Sequence, residues 1–548
     1  MSERREKPFF NRESPSSKSA RGAAINNIIV KKDAAKEPLL APSPSVGSEP
    51  NAAFVGEYKV DGDAPSSAYS VDTETKTKIV NRFGHATRDD IEYLSRRDWQ
   101  ATWPTLYGEV SDVESVYNNP AQPDGRSYQY KKDLTREEYN KIRSTDSLNP
   151  LTEKTAKVVT DVKNGVELID LRGLPFDDPL WDKLLDQLRA SDYKKLIAMS
   201  GYGTQELNVI KKPHIINADG PSGFAIAYAY SSELMLAHTW NIGLAEKFGF
   251  MIGEDALATN TAGWYAPAMN IHRTPFSGRN NEYYSEDAFL SGVFGSATVK
   301  AVAQKGIYTC IKHFALNEQE NHRGDRNGFN GKGEHGLVTW ANEQSIREIY
   351  LRPFEKTVKS GTVDIKYYSL ETDENGDEHF KAMTAQIPAC NAIMTSFNRI
   401  GFTWAGGDYN LMTNVLRKEW GFNGFAVTDF DNGGYMDATQ MILAGADGKL
   451  SAVGTKDYDG KSFDFNRLSE TEKYYARQAA HRILYADVNS AGMNGFIHGV
   501  SPNGFAYYKI ILIALDALAA AGIGVLLFFM IRNIRKEKQA QADKTEAQ

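Results

Sequence analysis

The chain has 548 residues, of which 41% are hydrophobic, 24% charged and 11% aromatic, and its formal net charge is −7. A mean hydropathy of −0.47 excludes a polytopic membrane protein, and two cysteines exclude a disulfide scaffold or a cysteine-based zinc site. The acidic balance argues against a nucleic-acid partner, because proteins that bind nucleic acid usually present a basic face.

The N-terminal part of the chain has the composition of an unfolded segment. Its first 50 residues are rich in proline, serine, lysine and glutamate and contain no long apolar stretch. Residues 1–74 are therefore predicted to be disordered, and residues 75–164 to form a connector or extended segment. No secretory signal is recognisable in this part of the chain.

From about residue 165 onward, short apolar runs alternate with amphipathic stretches of helical spacing. One helix is predicted around Leu184, Leu185 and Leu188, with Asp178 as its N-cap, and further helices are predicted at residues 298–302 and 344–354. Five apolar runs end in polar or charged side chains, namely residues 214–224, 264–273, 308–314, 391–399 and 424–433.

This alternation predicts the α/β class and parallel strands. Because the runs end in reactive side chains, residues 165–495 are interpreted as a (β/α)8 TIM-like barrel whose site lies at the carboxyl ends of its strands. A doubly wound sheet is the alternative, but no glycine-rich phosphate loop opens any of its helices.

Two further features are predicted within this region. Residues 361–383 are polar and carry turn signals at 375–377, which indicates a β-hairpin or a long loop. Cys310 and Cys390 are expected on or just before neighbouring strands, as two free buried thiols.

The C-terminal region contains a candidate transmembrane helix at residues 507–531. The stretch from Ile510 to Ile531 has a single charge, Asp516, and as a helix spans about 33 Å, enough to cross a bilayer. Basic residues dominate the start of the tail at 532–548, so the positive-inside rule predicts a single-pass membrane protein with a cytoplasmic C-terminus and an extracellular main domain. A buried core helix is the alternative interpretation.

The side chains predicted at the strand ends favour a polyhydroxylated ligand. They are Asp219, Arg279, Lys312, His313 and Asp429. Cations and carboxylates in one site hold each other ionised and bind sugar hydroxyls, whereas two carboxylates oppose phosphate binding. The sequence contains no HExxH motif and no nucleophile elbow, so neither a metal, a cofactor nor a Ser–His–Asp triad is predicted.

Asp429 is the most informative of these residues. It follows the apolar run Phe425-Ala426-Val427 and Thr428, and a carboxylate in such a position can attack an anomeric carbon to form a covalent glycosyl-enzyme. The alternative is that Asp429 caps the following helix. Asp431 lies nearer to that helix and is predicted to be the cap, which leaves Asp429 for chemistry.

Residues 174–447 carry motifs that resemble the barrel domain of glycoside hydrolase family 3, the β-glucosidase and β-xylosidase family. The motifs are NADGPSGF at 217–224, APAMNIHRTPFSGRNNEYYSED at 266–287, IKHFALNEQENHR at 311–323, ANEQSIREIYLRPFE at 341–355 and LRKEWGFNGFAVTDFDNG at 416–433.

The resemblance implies a β-glucosidase-like enzyme that cleaves terminal, non-reducing β-linked sugars from oligosaccharides or glycosides with retention of configuration. It implies Asp429 as the nucleophile and the other four strand-end residues as ligands of the terminal sugar. Glu282 and Glu286 are expected to anchor the loops around Arg279.

The sequence departs from the family pattern in two places. Phe397 stands where members often have a tyrosine. Family members also usually take their proton donor from a separate α/β sandwich domain, which some bacterial members place ahead of the barrel. Residues 94–104 resemble the connector in such members, so the sandwich is expected to be missing, as if a two-domain enzyme had lost its first half.

Three alternatives remain open for a chain that lacks this proton donor. The loop after His313 offers six candidates, namely Glu318, Glu320, His322, Asp325, Glu334 and His335. A separate sandwich domain or subunit can supply the acid instead. The third alternative is a non-catalytic or impaired sugar-binding membrane protein.

Overall fold

The protein is described here from a computed structural model. The structure describes residues 71–89, 135–153, 155–224, 228–273, 275, 277–320, 336–372, 374–376, 378–431, 435–451, 463–499 and 507–546. The predicted disorder of residues 1–74 and the connector motif at 94–104 therefore lie almost wholly outside the described residues.

The centre of the main body is a six-stranded sheet with the strand order β1-β2-β5-β6-β10-β13. Its strands are β1 (Gly203–Thr204), β2 (Ile215–Asp219), β5 (Gly263–Tyr265), β6 (Tyr308–Phe314), β10 (Ala392–Thr395) and β13 (Phe425–Val427). β1 pairs antiparallel with β2, and the other neighbours are all parallel. The five predicted apolar runs thus lie in one sheet, which confirms their interpretation as parallel strands.

The remaining strands form three small sheets beside this core. They are β3 (Gly223–Phe224) with β4 (Tyr228–Ala229), β7 (Val338–Thr339) with β11 (Arg399–Ile400) and β12 (Thr403–Trp404), and β8 (Thr362–Thr372) with β9 (Glu378–Pro388).

Helices precede, connect and follow the core strands. They are α1 (Arg136–Ile142), α2 (Leu180–Leu185), α3 (Ala190–Ala198), α4 (Glu233–His238), α5 (Ile242–Ala258), α6 (Ala288–Ala303), α7 (Glu343–Ser345), α8 (Arg352–Val358), α9 (Ala438–Ala444), α10 (Glu470–Val488) and α11 (Tyr507–Glu546), with π-helices at Ile346–Tyr350 and Asn410–Glu419.

Four of the five parallel strands are fully buried, as expected for a sheet covered on both faces, and β2 is partly exposed. Every residue of β6 is buried, and so is every residue of β5, β10 and β13. α5 and α6 approach each other closely at Gly249, where a Cβ would lie 2.5 Å from the carbonyl oxygen of Thr298. This alternation of strand and helix gives the α/β class, while the complete eight-stranded barrel remains a prediction.

The predicted helices are found with small shifts in their bounds. Residues 298–302 lie inside α6, and residues 344–354 fall on α7, α8 and the π-helix between them. α2 begins at Leu180, and the carboxylate of Asp178 accepts a hydrogen bond from the Leu180 amide at 2.8 Å. The N-cap is therefore Pro179 and not Asp178 as predicted, although the Asp178 carboxylate does accept from the first helical amide.

The hairpin and cysteine predictions are confirmed. β8 and β9 pair along eleven residues each, from Thr362 opposite Pro388 to Thr372 opposite Glu378. Cys310 lies on β6, Cys390 lies just before the neighbouring β10, and both are buried free thiols.

α11 is a separate 40-residue element at the C-terminal end. Within its segment Ile511–Asp543, an 18-residue window has a mean hydropathy of 2.5, so the helix is long and apolar enough to cross a membrane, and its side chains are exposed in the structure. The helix extends from the predicted span into the basic tail. Length and composition agree with the prediction, while the orientation of the helix remains a proposal.

Candidate active site

The predicted site residues converge at the carboxyl ends of three parallel strands. Asp219 ends β2, Lys312 and His313 lie near the end of β6, and Asp429 follows β13 by two residues. Arg279 joins them from the loop between β5 and α6. Parallel strands present their carboxyl ends at one edge of the sheet, which is why residues 210 positions apart meet.

Lys312 is the buried cation at the centre of this cluster. Its Nζ lies 2.8 Å from Asp219 Oδ1 and 3.5 Å from Glu282 Oε1, and its side chain is only 4% exposed. Burial by itself lowers the pKa of Lys312, but Asp219 and Glu282 outweigh it, and the pKa is raised above its usual value. Lys312 therefore stays charged. The side chain of Asp219 remains 42% exposed.

Arg279 links this cation to the opposite side of the site. Its Nε donates to Glu282 Oε2 at 2.7 Å, and its Nη1 lies 3.3 Å from His313 Nε2. Burial opposes the charge, whereas Tyr283, Glu282 and Glu320 together raise the pKa of Arg279. The predicted role of Glu282 as an anchor of Arg279 is confirmed.

Asp429 completes the cluster next to His313. Its Oδ2 lies 3.6 Å from His313 Nε2, its Oδ1 accepts a hydrogen bond from the Phe430 amide at 2.7 Å, and the residue is only 8% exposed. Polar contacts thus run without interruption from Asp219 through Lys312, Glu282, Arg279 and His313 to Asp429. Such an arrangement offers both donors and acceptors to a hydroxylated ligand.

Two of the six acid candidates after His313 lie within the described residues. Glu318 is buried and accepts hydrogen bonds from Asn270 Nδ2 at 3.2 Å and from the Ile271 amide at 3.4 Å. Glu320 Oε2 lies 3.8 Å from Arg279 Nε. The candidates His322, Asp325, Glu334 and His335 lie outside the described residues.

The prediction that Asp431 caps the helix after β13 is wrong. Asp431 is buried and pairs with Lys449 at 2.8 Å, while Asp437 caps α9 by accepting from the Gln440 amide at 2.7 Å. The chain runs on for several residues between β13 and α9, so the nearest aspartate in sequence is not the one at the helix end. Asp429 does not cap this helix either, which removes the alternative to a role in the site.

An aromatic side chain at the site, Tyr202, was not predicted from the sequence. Tyr202 is 47% exposed, and its ring centroid lies 6.2 Å from that of Phe430 and 5.8 Å from that of Tyr265. Burial first, and then the charges of Asp219 and Asp429, raise the pKa of Tyr202. Its neighbours Gly201 and Gly203 were the available signal, since a Cβ at Gly203 would lie 2.1 Å from the Ile215 carbonyl oxygen of β2.

Two buried polar residues beneath the site, Glu233 and Asn270, were also not predicted from the sequence. Glu233, at the start of α4, is fully buried and accepts from the Ala268 amide at 3.1 Å. Burial, together with the negative charge of Glu282, raises its pKa well above the usual value. Asn270 is also fully buried and contacts the backbone of His313.

Comparison with known proteins identifies this region. Residues 197–447 match the model of the glycosyl hydrolase family 3 N-terminal domain. Beta-glucosidase A of Butyrivibrio fibrisolvens is 34% identical over 263 residues, which are 47% of this chain and 27% of that protein. A beta-glucosidase of Rhizobium radiobacter is 28% identical over 313 residues, 55% of this chain and 33% of that protein.

Solved structures of beta-glucosidases are also similar. Beta-glucosidase 3B from Thermotoga neapolitana, in complex with glycerol, is 28% identical, with a TM-score of 0.45, and the match covers 57% of this chain and 43% of that one. The matched region of the chain spans about a third or less of the curated relatives' length. Residues 197–447 therefore belong to glycosyl hydrolase family 3, and over this region the chain is similar to β-glucosidases.

Proposed function

We propose that the protein is a retaining glycoside hydrolase that cleaves terminal, non-reducing β-linked sugars, with Asp429 as its nucleophile. The observation that carries the proposal is the position of Asp429. This carboxylate follows a buried parallel strand and lies 3.6 Å from His313, in contact with a cluster that can bind hydroxyl groups. The family match supports a glycoside hydrolase function at this place in the chain.

In the proposed reaction, Asp429 Oδ2 attacks the anomeric carbon as the bond to the leaving oxygen breaks. The ring oxygen shares the positive charge of the oxocarbenium-like transition state, and a proton donor delivers a proton to the leaving oxygen. Water then displaces the carboxylate from the glycosyl-enzyme, which restores Asp429 and releases the sugar with its original configuration.

The other four strand-end residues hold the sugar in this mechanism. Lys312, Arg279 and His313 donate to its hydroxyl groups, and the exposed carboxylate of Asp219 accepts from them. Because these charges are already paired and partly buried, they need little rearrangement when the sugar binds. Tyr202 offers an aromatic face at the same edge of the site.

A second candidate function is sugar binding with impaired turnover. The contacts of three carboxylates in this part of the structure favour it. Glu282 and Glu320 contact Arg279, and Glu318 is buried against Asn270. A free proton donor is therefore not among these three. A separate sandwich domain or subunit that adds the acid would convert the same site into a complete enzyme.

Azide rescue of an Asp429→Ala variant tests the nucleophile. An activated aryl β-glucoside needs little acid assistance, so we expect slow turnover by the unmodified protein and a loss on the order of 10³-fold in the variant. Azide should restore turnover by attacking from the vacated side, and NMR should identify the product as the α-glucosyl azide. Asp437→Asn is the control, since asparagine also caps helices.

The result separates the two candidate functions. Sugar binding without aryl glucoside turnover by the unmodified protein supports the binding function. An unchanged rate in Asp429→Ala, or a β-glucosyl azide product, contradicts the role of Asp429.

We further propose that the sheet closes into the (β/α)8 barrel of residues 165–495. Two features extend it beyond β13, namely a parallel bridge between Val427 and Gly448 and a hydrogen bond from the Lys449 amide to the Ile197 carbonyl at 2.8 Å. The segment around Gly448 thus contacts β13, at one edge of the open sheet, and Ile197 near the end of α3, which leads to β1 at the other edge.

We also propose that α11 anchors the protein in a membrane, with residues 532–548 in the cytoplasm and the barrel outside the cell. The apolar part of α11 up to Ile531 and the basic residues that follow it within the helix support this topology. A cysteine introduced by Lys538→Cys tests it, because Cys310 and Cys390 are buried. In intact cells a membrane-impermeant maleimide should fail to label Lys538→Cys, and efficient labelling would contradict the orientation.

A further inference from the structure

A buried polar connection lies directly behind His313. The side chain of Asn270 makes two hydrogen bonds to the backbone of this one residue. Asn270 Nδ2 donates to the His313 carbonyl at 3.0 Å, and Asn270 Oδ1 accepts from the His313 amide at 2.8 Å. Because both backbone groups are held by one rigid amide, the direction of the imidazole depends on where Asn270 lies.

Asn270 is held in turn by Glu318. Its Nδ2 donates to Glu318 Oε1 at 3.2 Å, and the neighbouring Ile271 amide approaches the same oxygen at 3.4 Å. Glu318 is 4% exposed, so it does not face bulk solvent. Burying a carboxylate costs free energy, and the hydrogen bonds that Glu318 accepts offset part of that cost.

The backbone of Glu318 reaches a second part of the site. Its carbonyl accepts a hydrogen bond from Ser277 Oγ at 3.2 Å. Ser277 lies two residues before Arg279, the cation that contacts His313 Nε2 at 3.3 Å. Glu318 is thus connected to His313 through Asn270 and to the loop of Arg279 through Ser277.

We propose that Glu318 is a positioning residue of the sugar site, which fixes His313 through Asn270 and the Arg279 loop through Ser277. The proposal rests on the proposed function, because it concerns the same site. It removes Glu318 from the candidate proton donors and gives it a role that acts through other residues.

The ionisation of Glu318 supplies a readout for this role. Burial raises the pKa of Glu318 to about 7, against the opposing hydrogen bonds from Asn270 and Ile271 and the charge of Arg273. Tyr350 is the other titratable group that faces it, and its own pKa is raised by burial and by Glu318. The carboxylate is the stronger acceptor, so the anchor should weaken as the pH falls below 7.

Two variants of the full-length protein separate position from charge. Glu318→Gln keeps an oxygen acceptor and removes the ionisation, whereas Glu318→Ala removes both. Glu348→Gln, on an exposed helical surface, is the matched control. The first measurement is the titration of the His313 ring by NMR in protein labelled with ¹⁵N-histidine, with the signal assigned by comparison with His313→Gln.

We expect Glu318→Ala to move the His313 titration further than Glu318→Gln does, and Glu348→Gln to leave it unchanged. Glucose affinity, measured by calorimetry, should fall about tenfold in Glu318→Ala, the loss typical of one buried hydrogen bond, and less in Glu318→Gln. In the unmodified protein, affinity should rise between pH 5.5 and 8 more steeply than in Glu318→Gln.

The titration also distinguishes the failure of this inference from the failure of the proposed function. A His313 titration that is the same in Glu318→Ala and the unmodified protein overturns the positioning role, whether or not sugar binds. An unmodified protein that does not bind glucose contradicts the proposed function, and the His313 titration still decides the role of Glu318.

Discussion

Two buried lysines, Lys212 and Lys312, both pair with an aspartate, but their surroundings shift their pKa values in opposite directions. Lys212 is completely buried, and its Nζ contacts Asp487, Thr204 and the carbonyls of Gln205 and Pro213. Burial lowers the pKa of Lys212 even though Asp487 opposes the shift. For Lys312, Asp219 and Glu282 overcome burial, and the pKa is raised.

The difference separates structure from function. Asp487 is as buried as Lys212, so that pair is closed and has no surface to offer a ligand. Asp219, the partner of Lys312, remains 42% exposed. Removing one member of an enclosed pair should therefore destabilise the fold, whereas a pair of which one member still reaches solvent can contact a ligand, as the proposed function requires of Lys312 and Asp219.

Removal of the closed pair should have the largest effect on stability. Lys212→Met leaves Asp487 buried without its cation, and we expect a loss of about 3–5 kcal/mol in the free energy of unfolding. Denaturant unfolding followed by fluorescence measures it. The double variant Lys212→Met/Asp487→Leu should recover much of the loss, and no recovery would contradict the account of an enclosed pair.

Glu318 differs from the carboxylates of the two ion pairs, because it is buried and accepts hydrogen bonds from neutral donors. Its native pKa of about 7 exceeds the ordinary 4.5, so between these values the native protein holds a proton that the unfolded chain has released. Stability should therefore fall by about 3 kcal/mol as the pH rises through this window. Glu318→Gln should flatten this dependence in denaturant unfolding at several pH values, and an equal slope in both proteins would contradict it.

Lys312→Met should affect activity more than stability, whereas Lys212→Met should affect mainly stability. We expect kcat/KM for an aryl β-glucoside to fall about 100-fold, because a charged hydrogen bond to the sugar is lost, with a smaller change in stability than Lys212→Met causes. Steady-state kinetics and unfolding of the same preparation test both parts. A variant that unfolds easily but keeps its kcat/KM would place Lys312 with the structural lysines.

Tyr202→Ala should give the smallest effect in this series. Its exposed ring can stack on a sugar face, so its loss should weaken glucose binding by about 1 kcal/mol, or roughly fivefold. Tyr202→Phe is the control, since it keeps the ring and removes the hydroxyl. Equal affinity in all three proteins would show that the ring does not touch the sugar.

The sequence was sufficient to predict the sheet and the residues at its edge. The parallel strands are mostly apolar, so the polar residues at or just after their ends stand out, as Asp219 and Asp429 do. Contacts made by loops could not be predicted as well, because they depend on the path of the chain between the strands and helices. The assignment of the helix cap to Asp431 failed for this reason, since its carboxylate turns inward to Lys449.

The layer beneath the site was missed for a related reason. Asn270 and Glu318 are polar residues within motifs whose other members suggested ligand contacts. Nothing in their spacing shows that Asn270 bonds to a backbone or that Glu318 is buried behind it. Glu282 was predicted, with Glu286, to anchor the loops around Arg279, and its ion pair with Arg279 bears this out for Glu282.

The central claim is that Asp429 forms a bond to the anomeric carbon of the sugar. Incubation with an activated 2-fluoro β-glucoside, which slows the hydrolysis of the intermediate, tests it directly by mass spectrometry of the intact protein and of its peptides. The account predicts one sugar per chain, attached to Asp429. A protein that hydrolyses aryl β-glucosides yet carries the adduct on another residue, or none at all, would contradict it.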